Sequence, residues 1–144
     1  MDVRSRRVLI LDTDPDTLIT LQHVLENAGL DTTITWGKAE ACQAVETSPF
    51  DLILIRDHPP ELNAAAILDD LSYRGICAAV LILRTSFSCK DAEYFRRLGA
   101  TGVVSKRDPL AVLEHVTKTL AAMQFKARSA RAGLVEARSY RAAS

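Results

Sequence analysis

Four short apolar runs in this chain each end on side chains able to do chemistry. Val8–Leu11 leads into Asp12, Thr13 and Asp14; Leu52–Ile55 leads into Arg56 and Asp57; Val80–Leu83 leads into Arg84 and Thr85; and the run at 102–104 is followed, after Ser105, by Lys106. The cations Arg56, Arg84 and Lys106 could together hold a phosphate or the acidic side chain of a partner. An arginine closing the run at 52–55, next to Asp57 and His58, is what needs explaining.

These side chains are positioned by alternating elements. Residues 7–12 are a continuous β-branched and leucine-rich run, the pattern of a strand buried on both faces. Asp14 and Pro15 follow as N-cap and first helical position. Leu18, Leu21, Leu25 and Ala28 then keep helical spacing until Gly29 stops the helix. The pattern repeats, with strands expected at 32–35, 52–55, 80–83 and 102–104 and helices at 38–47 and 64–71. A fourth helix, capped by Ser88, ends at Gly99, and a fifth opens at Asp108 and Pro109. Five strands alternating with five helices imply an α/β, doubly wound parallel sheet with right-handed crossovers. Sites in such sheets form beyond the carboxyl ends of the strands, which is where the eight residues above fall.

Composition narrows the function classes. The chain has 144 residues, 48% hydrophobic and 25% charged, which describes one ordinary globular domain. The first apolar run is too short for a signal or membrane segment, so a cytoplasmic protein without membrane contact is expected. Cys42, Cys77 and Cys89 are odd in number and scattered, suggesting neither a disulfide framework nor a zinc site. There is no glycine-rich phosphate loop, no GxSxG elbow and no HExxH. A small α/β enzyme therefore lacks its usual marks. His23 and His115 fall inside helices, while His58 lies at a strand end. Net charge is zero, but residues 1–123 hold 13 basic against 17 acidic residues, and residues 124–144 hold five basic residues and Glu136. A basic tail of this size is a weak argument for nucleic acid.

The segments VLILDTDPDTL, FDLILIRDHPPELNA, AVLILRTS and LGATGVVSK resemble, in order and spacing, the receiver domain of bacterial two-component response regulators, the CheY-like family, over about residues 6–123. The resemblance implies a flavodoxin-like sheet of order 2-1-3-4-5 and a cytoplasmic signalling role. In that family two acidic residues after strand one and a phospho-accepting aspartate after strand three hold Mg²⁺. A Thr or Ser after strand four and a Lys after strand five bind the phosphoryl group.

Carried over by position, Asp12 matches the first acidic residue and Lys106 the lysine, while Thr13 falls on the second acidic position. Pro60 matches the family proline and so places Arg56 on the acceptor position. Arg84 falls on the Thr/Ser position, with Thr85 one step late. Val103 replaces the aromatic associated with the activated state. A guanidinium is cationic, donates only and is effectively never deprotonated, so Arg56 cannot accept a phosphoryl group. Asp12 beside Arg56, Arg84 and Lys106 is expected to bind no Mg²⁺ usefully, and no cofactor is expected. Arg56 could lie over Asp12, with or without Asp14, supplying from the protein the charge that a metal supplies in the family. Its alternatives are to snorkel to solvent or to hold an anion.

The reading is thus a pseudo-receiver, a phosphorylation-independent protein-interaction module of a phosphorelay. A phosphorylatable regulator using Asp57 is the alternative, although neighbouring strand residues point to opposite faces and Asp57 would need a bulge to reach Asp12. Expected partners are a histidine kinase, an output domain or another regulator. The expected contact residues are Val103, Leu113, Val116, Leu120, Met123 and the loop residue Trp36. Leu113, Leu120, Ala127 and Leu134 share one heptad position, and Val116, Met123, Ala130 and Ala137 share the other. We therefore divide the chain into a receiver-like domain, 1–123, and a basic helical extension or tail, 124–144, with homodimerisation through the last helix as a further expectation.

Overall fold

The computed structural model describes residues 6–125. Its order is β1 (Arg7–Leu11), α1 (Pro15–Asn27), β2 (Asp31–Thr35), α2 (Lys38–Thr47), β3 (Leu52–Arg56), α3 (Ala64–Tyr73), β4 (Ala79–Arg84), α4 (Cys89–Arg97) and β5 (Gly102–Ser105). A last helix, α5, covers 109–125. The five strands are parallel and ordered β2-β1-β3-β4-β5, as expected for the flavodoxin-like receiver fold.

The sheet is buried on both sides because alternate residues of each strand feed two cores. Val8, Ile10, Leu52, Leu54, Leu81, Leu83 and Val104 pack with Leu18, Leu21 and Leu25 of α1 and with Val112, Val116 and Leu120 of α5. Leu9, Leu11, Ile53, Ile55, Val80 and Ile82 pack on the other face with α2, α3 and Phe95 of α4. This two-sided alternation continues into the residues just past the strand ends and decides which side of the sheet each of them joins.

Helix ends are set by local chemistry. Asp14 caps α1 by accepting from the Asp16 amide at 3.2 Å, with Pro15 at the first position. Asp108 does the same for α5, accepting from the Leu110 and Ala111 amides at 3.1 and 3.3 Å. Gly99 ends α4 at φ 109°, with its amide on Arg96 O and the Ala100 amide on Phe95 O. That paired return requires the left-handed conformation glycine adopts without strain.

One expectation changes here, the contact role of the last helix's core residues. That helix is described as far as Phe125, two residues into the expected helical extension or tail, and residues 126–144, including Ala127, Ala130, Leu134 and Ala137 of the heptad pattern, lie outside the described residues. Val116 and Leu120 are core, 0% and 6% exposed, and Leu113 and Met123 pack against them. Between Leu113 and Met123 the stripe therefore faces the sheet, which takes Val116 and Leu120 out of reach of a partner. Val103 is half-buried against the opposite core.

Candidate functional site

Asp12 is the organising residue. It stands one step beyond β1 on the α1/α5 side and is 0% exposed. A carboxylate so placed needs a partner at each oxygen. Its Oδ1 accepts from Arg56 Nη1 at 3.1 Å and from the Asp14 amide at 3.0 Å, and its Oδ2 accepts from Lys106 Nζ at 3.3 Å. Lys106 also lies 3.6 Å from Asp14 Oδ2. Arg56 ends β3 on the same parity as Leu52 and Leu54, and Lys106 stands two residues past Val104, so alternation alone delivers both cations to the side of the sheet that holds Asp12. The side chains of Arg56 and Lys106 are themselves only 15% and 11% exposed.

Two carboxylates and two cations thus form a compact network of balanced charge. Asp14 is its outer member, and the Thr17 hydroxyl, donating at 2.7 Å, is the main cause of a carboxyl pKa below the ordinary value. The Asp16 amide and Lys106 act in the same direction. Among the described residues no buried side-chain nitrogen or oxygen lacks a partner.

Asp57 belongs to a second network on the other side of the sheet. It follows the parity of Ile53 and Ile55, its Oδ1 accepts from the Ala64 amide at the start of α3 at 3.1 Å, and its Oδ2 is 3.9 Å from Arg84 Nε. Arg84 in turn places Nη1 3.5 Å from Asp91 Oδ1. This corrects the expected grouping of Arg84 with Arg56 and Lys106 around Asp12. Arg84 continues the alternation of Val80 and Ile82, so it points toward α3 and α4 instead. Thr13 and Thr85 are exposed, and His58 pairs through its backbone with Leu62 across the turn that contains the prolines.

The residue that sequence reasoning missed is Asp91. Its signal was available in the Ser88-x-x-Asp91 spacing of a capping box. The Ser88 amide and hydroxyl donate to Asp91 Oδ2 at 2.9 and 3.2 Å, and the Asp91 amide returns to Ser88 Oγ at 3.3 Å. The Ser88 amide is the chief cause of a lowered Asp91 pKa.

Among the described residues no three His, Cys, Asp or Glu side chains gather where they could hold a metal ion. No described helix is long and apolar enough to cross a membrane. Trp36 is 61% exposed in the loop after β2, and Phe87, Tyr94 and Leu98 are exposed on and before α4. Of the thiols, Cys77 and Cys89 are exposed, whereas Cys42 is buried on the inner side of α2 with its Sγ 3.4 Å from Asp70 Oδ2. Desolvation, and then the Asp70 carboxylate, raise the Cys42 pKa.

No family model matches the chain. Over 95 residues it is 26% identical to the alkaline phosphatase synthesis transcriptional regulatory protein PhoP of Bacillus subtilis (strain 168), a match covering 66% of this chain and 38% of that protein. Among solved structures it is similar to the receiver domain of the Francisella response regulator 1452, with TM-score 0.76, 22% identity, 83% of this chain and 99% of that one. A response regulator receiver domain protein (CheY-like) from Methanospirillum hungatei JF-1 gives TM-score 0.76 and 20% identity, covering 85% and 99% of the two chains. The Vibrio cholerae chemotaxis protein CheY4 gives 0.74 and 20%, covering 80% and 98%. At these identities the structures show a shared receiver fold.

Proposed function

We propose that this chain is a pseudo-receiver, a protein-interaction module of two-component signalling that works without phosphorylation of its own strand-three site. The observation that carries the reading is the Arg56 guanidinium, 3.1 Å from the buried Asp12 carboxylate at the position where the resemblance puts a phospho-acceptor. A group that only donates hydrogen bonds cannot attack phosphorus. Both Asp12 oxygens are already engaged, two of their three donors being cations, so a third positive charge would have to displace Arg56 or Lys106 to reach them. On that ground the proposal includes no useful Mg²⁺ binding and no cofactor.

Asp57 is a poor substitute acceptor. One oxygen is committed to the α3 amide, the other faces Arg84, and the sheet stands between it and Lys106. The partners in this reading are a histidine kinase, an output domain or another regulator, with a homodimer through the last helix as one form. Val116 and Leu120 drop out as contact residues; Val103, Leu113 and Met123 are half-buried and Trp36 is exposed, and the proposal adds the exposed apolar side chains of Tyr94, Leu98 and Leu110.

The test is an amide spectrum of the ¹⁵N-labelled full chain, alone and with Mg²⁺ plus beryllofluoride, with acetyl phosphate treatment followed by intact mass. The expected outcome is no spectral change beyond an ionic-strength blank and no phosphoryl increment. Shifts centred on Asp12, Asp57 and Lys106, or a phosphorylated mass, would establish the alternative of a working regulator.

A further inference from the structure

Arg84 ends β4 with its guanidinium between the beginnings of α3 and α4, the helices that precede and follow this strand. Each helix start is held by a carboxylate that divides its two oxygens. Asp57 gives Oδ1 to the first amide of α3, Ala64, and turns Oδ2 to Arg84 Nε. Asp91 gives Oδ2 to the amide and hydroxyl of Ser88, the N-cap of α4, and turns Oδ1 to Arg84 Nη1. Carboxylates at helix N-termini complement the positive end of the helix dipole, and a cation shared between two of them offsets their mutual repulsion. The backbone of Arg84 is also fixed, since its carbonyl accepts from the Lys106 amide at 3.0 Å and the next strand pairs alongside.

We propose that Arg84 is a conformational clasp that couples the N-terminal ends of α3 and α4, so that a change at either carboxylate is felt at the other helix. The coupling requires two nitrogens of one rigid fork, because Asp57 and Asp91 are met by different atoms of the guanidinium. It also sets how residues 85–88 are presented, since that loop is anchored at Arg84 on one side and by the Ser88–Asp91 box on the other, with the half-exposed Phe87 ring between. The inference does not rest on the pseudo-receiver reading. It concerns only the α3/α4 side of the sheet with Asp57 unmodified, as in the described structure.

The experiment uses the ¹⁵N-labelled full chain carrying Asp91→Asn and Arg84→Ala, separately and together, and reads amide shifts and hydrogen exchange. Asp91→Asn is expected to shift the Ala64 amide and to speed its exchange roughly 2- to 5-fold, the scale of a partly exposed ion pair. Combined with Arg84→Ala, the same substitution is expected to add nothing at Ala64, because the path is gone. Arg84→Lys, which keeps the charge on one nitrogen, is expected to break the coupling too. The Asp14 amide, held by Asp12 on the opposite side, serves as the internal reference and is expected to stay unchanged. An unmoved Ala64 amide in the Asp91→Asn protein, or an equal effect with and without Arg84, would overturn the clasp. So would acceleration reaching Asp14 by the same factor, which would mean general loosening.

Discussion

A buried carboxylate held by a strand-end arginine, a lysine from three strands away and one backbone amide is costly to leave half-satisfied. Removing Arg56 leaves Asp12 with Lys106 and the Asp14 amide, so Arg56→Ala is expected to lower unfolding stability by about 1–3 kcal/mol, the range for stripping a partner from a buried polar group. Arg56→Met keeps most of the apolar stem and should lose nearly as much if charge is the cause. Denaturant unfolding of the two proteins separates the contributions. An Arg56→Met protein as stable as the parent would mean that the guanidinium adds nothing by holding Asp12. The net worth of such pairs is modest, because desolvation offsets attraction. Their value lies in fixing one arrangement of Asp12, Asp14 and Lys106.

At the scale of elements, α5 is a core helix along the face that the heptad pattern offered for docking. Leu120→Ala should therefore cost about 2–5 kcal/mol in thermal or chemical unfolding, whereas Phe125→Ser, at a position 71% exposed, should leave stability within about 0.5 kcal/mol. Most of the architecture was legible in the sequence for simple reasons. Two-sided strands read as unbroken apolar runs, Asp-Pro pairs marked the starts of α1 and α5, and glycines marked helix ends. Val116 and Leu120 were misplaced as contact residues because a helix packed on a sheet and a helix packed on another helix present nearly the same spacing of apolar residues. The site was legible in part. Alternation correctly separates Asp57 from Asp12, and the same count, applied to β4 from Val80 and Ile82, sends Arg84 to the side of Asp57. What no strand pattern carries is the identity of Arg84's second partner, since Asp91 comes from a helix whose placement depends on tertiary packing.

Taken as one molecule, the chain holds several carboxylates whose pKa values are lowered on folding. Asp14 is lowered chiefly by the Thr17 hydroxyl, Asp91 by the Ser88 amide and Glu114 by its bond to Lys118, from ordinary values of 3.8, 3.8 and 4.5. A carboxylate with a depressed folded pKa adds stability that is complete above its unfolded pKa and is lost as pH falls through the folded one. Unfolding free energy should accordingly stay level from neutral pH down to about 5 and decline below about 4. Denaturant melts at a series of pH values check this, and a decline already complete by pH near 5 would contradict it.

The thiols have a practical consequence of another kind. Cys42 is shielded and its pKa is raised, so alkylating reagents at neutral pH should leave it alone, while Cys77 and Cys89 stand open at opposite ends of β4. β4 alone spans about 20 Å. The unmodified chain therefore carries its own pair of attachment points for spin labels or fluorophores. Because one of them is the first residue of α4, the distance between them reports directly on whether that helix stays put when the protein meets whatever it binds.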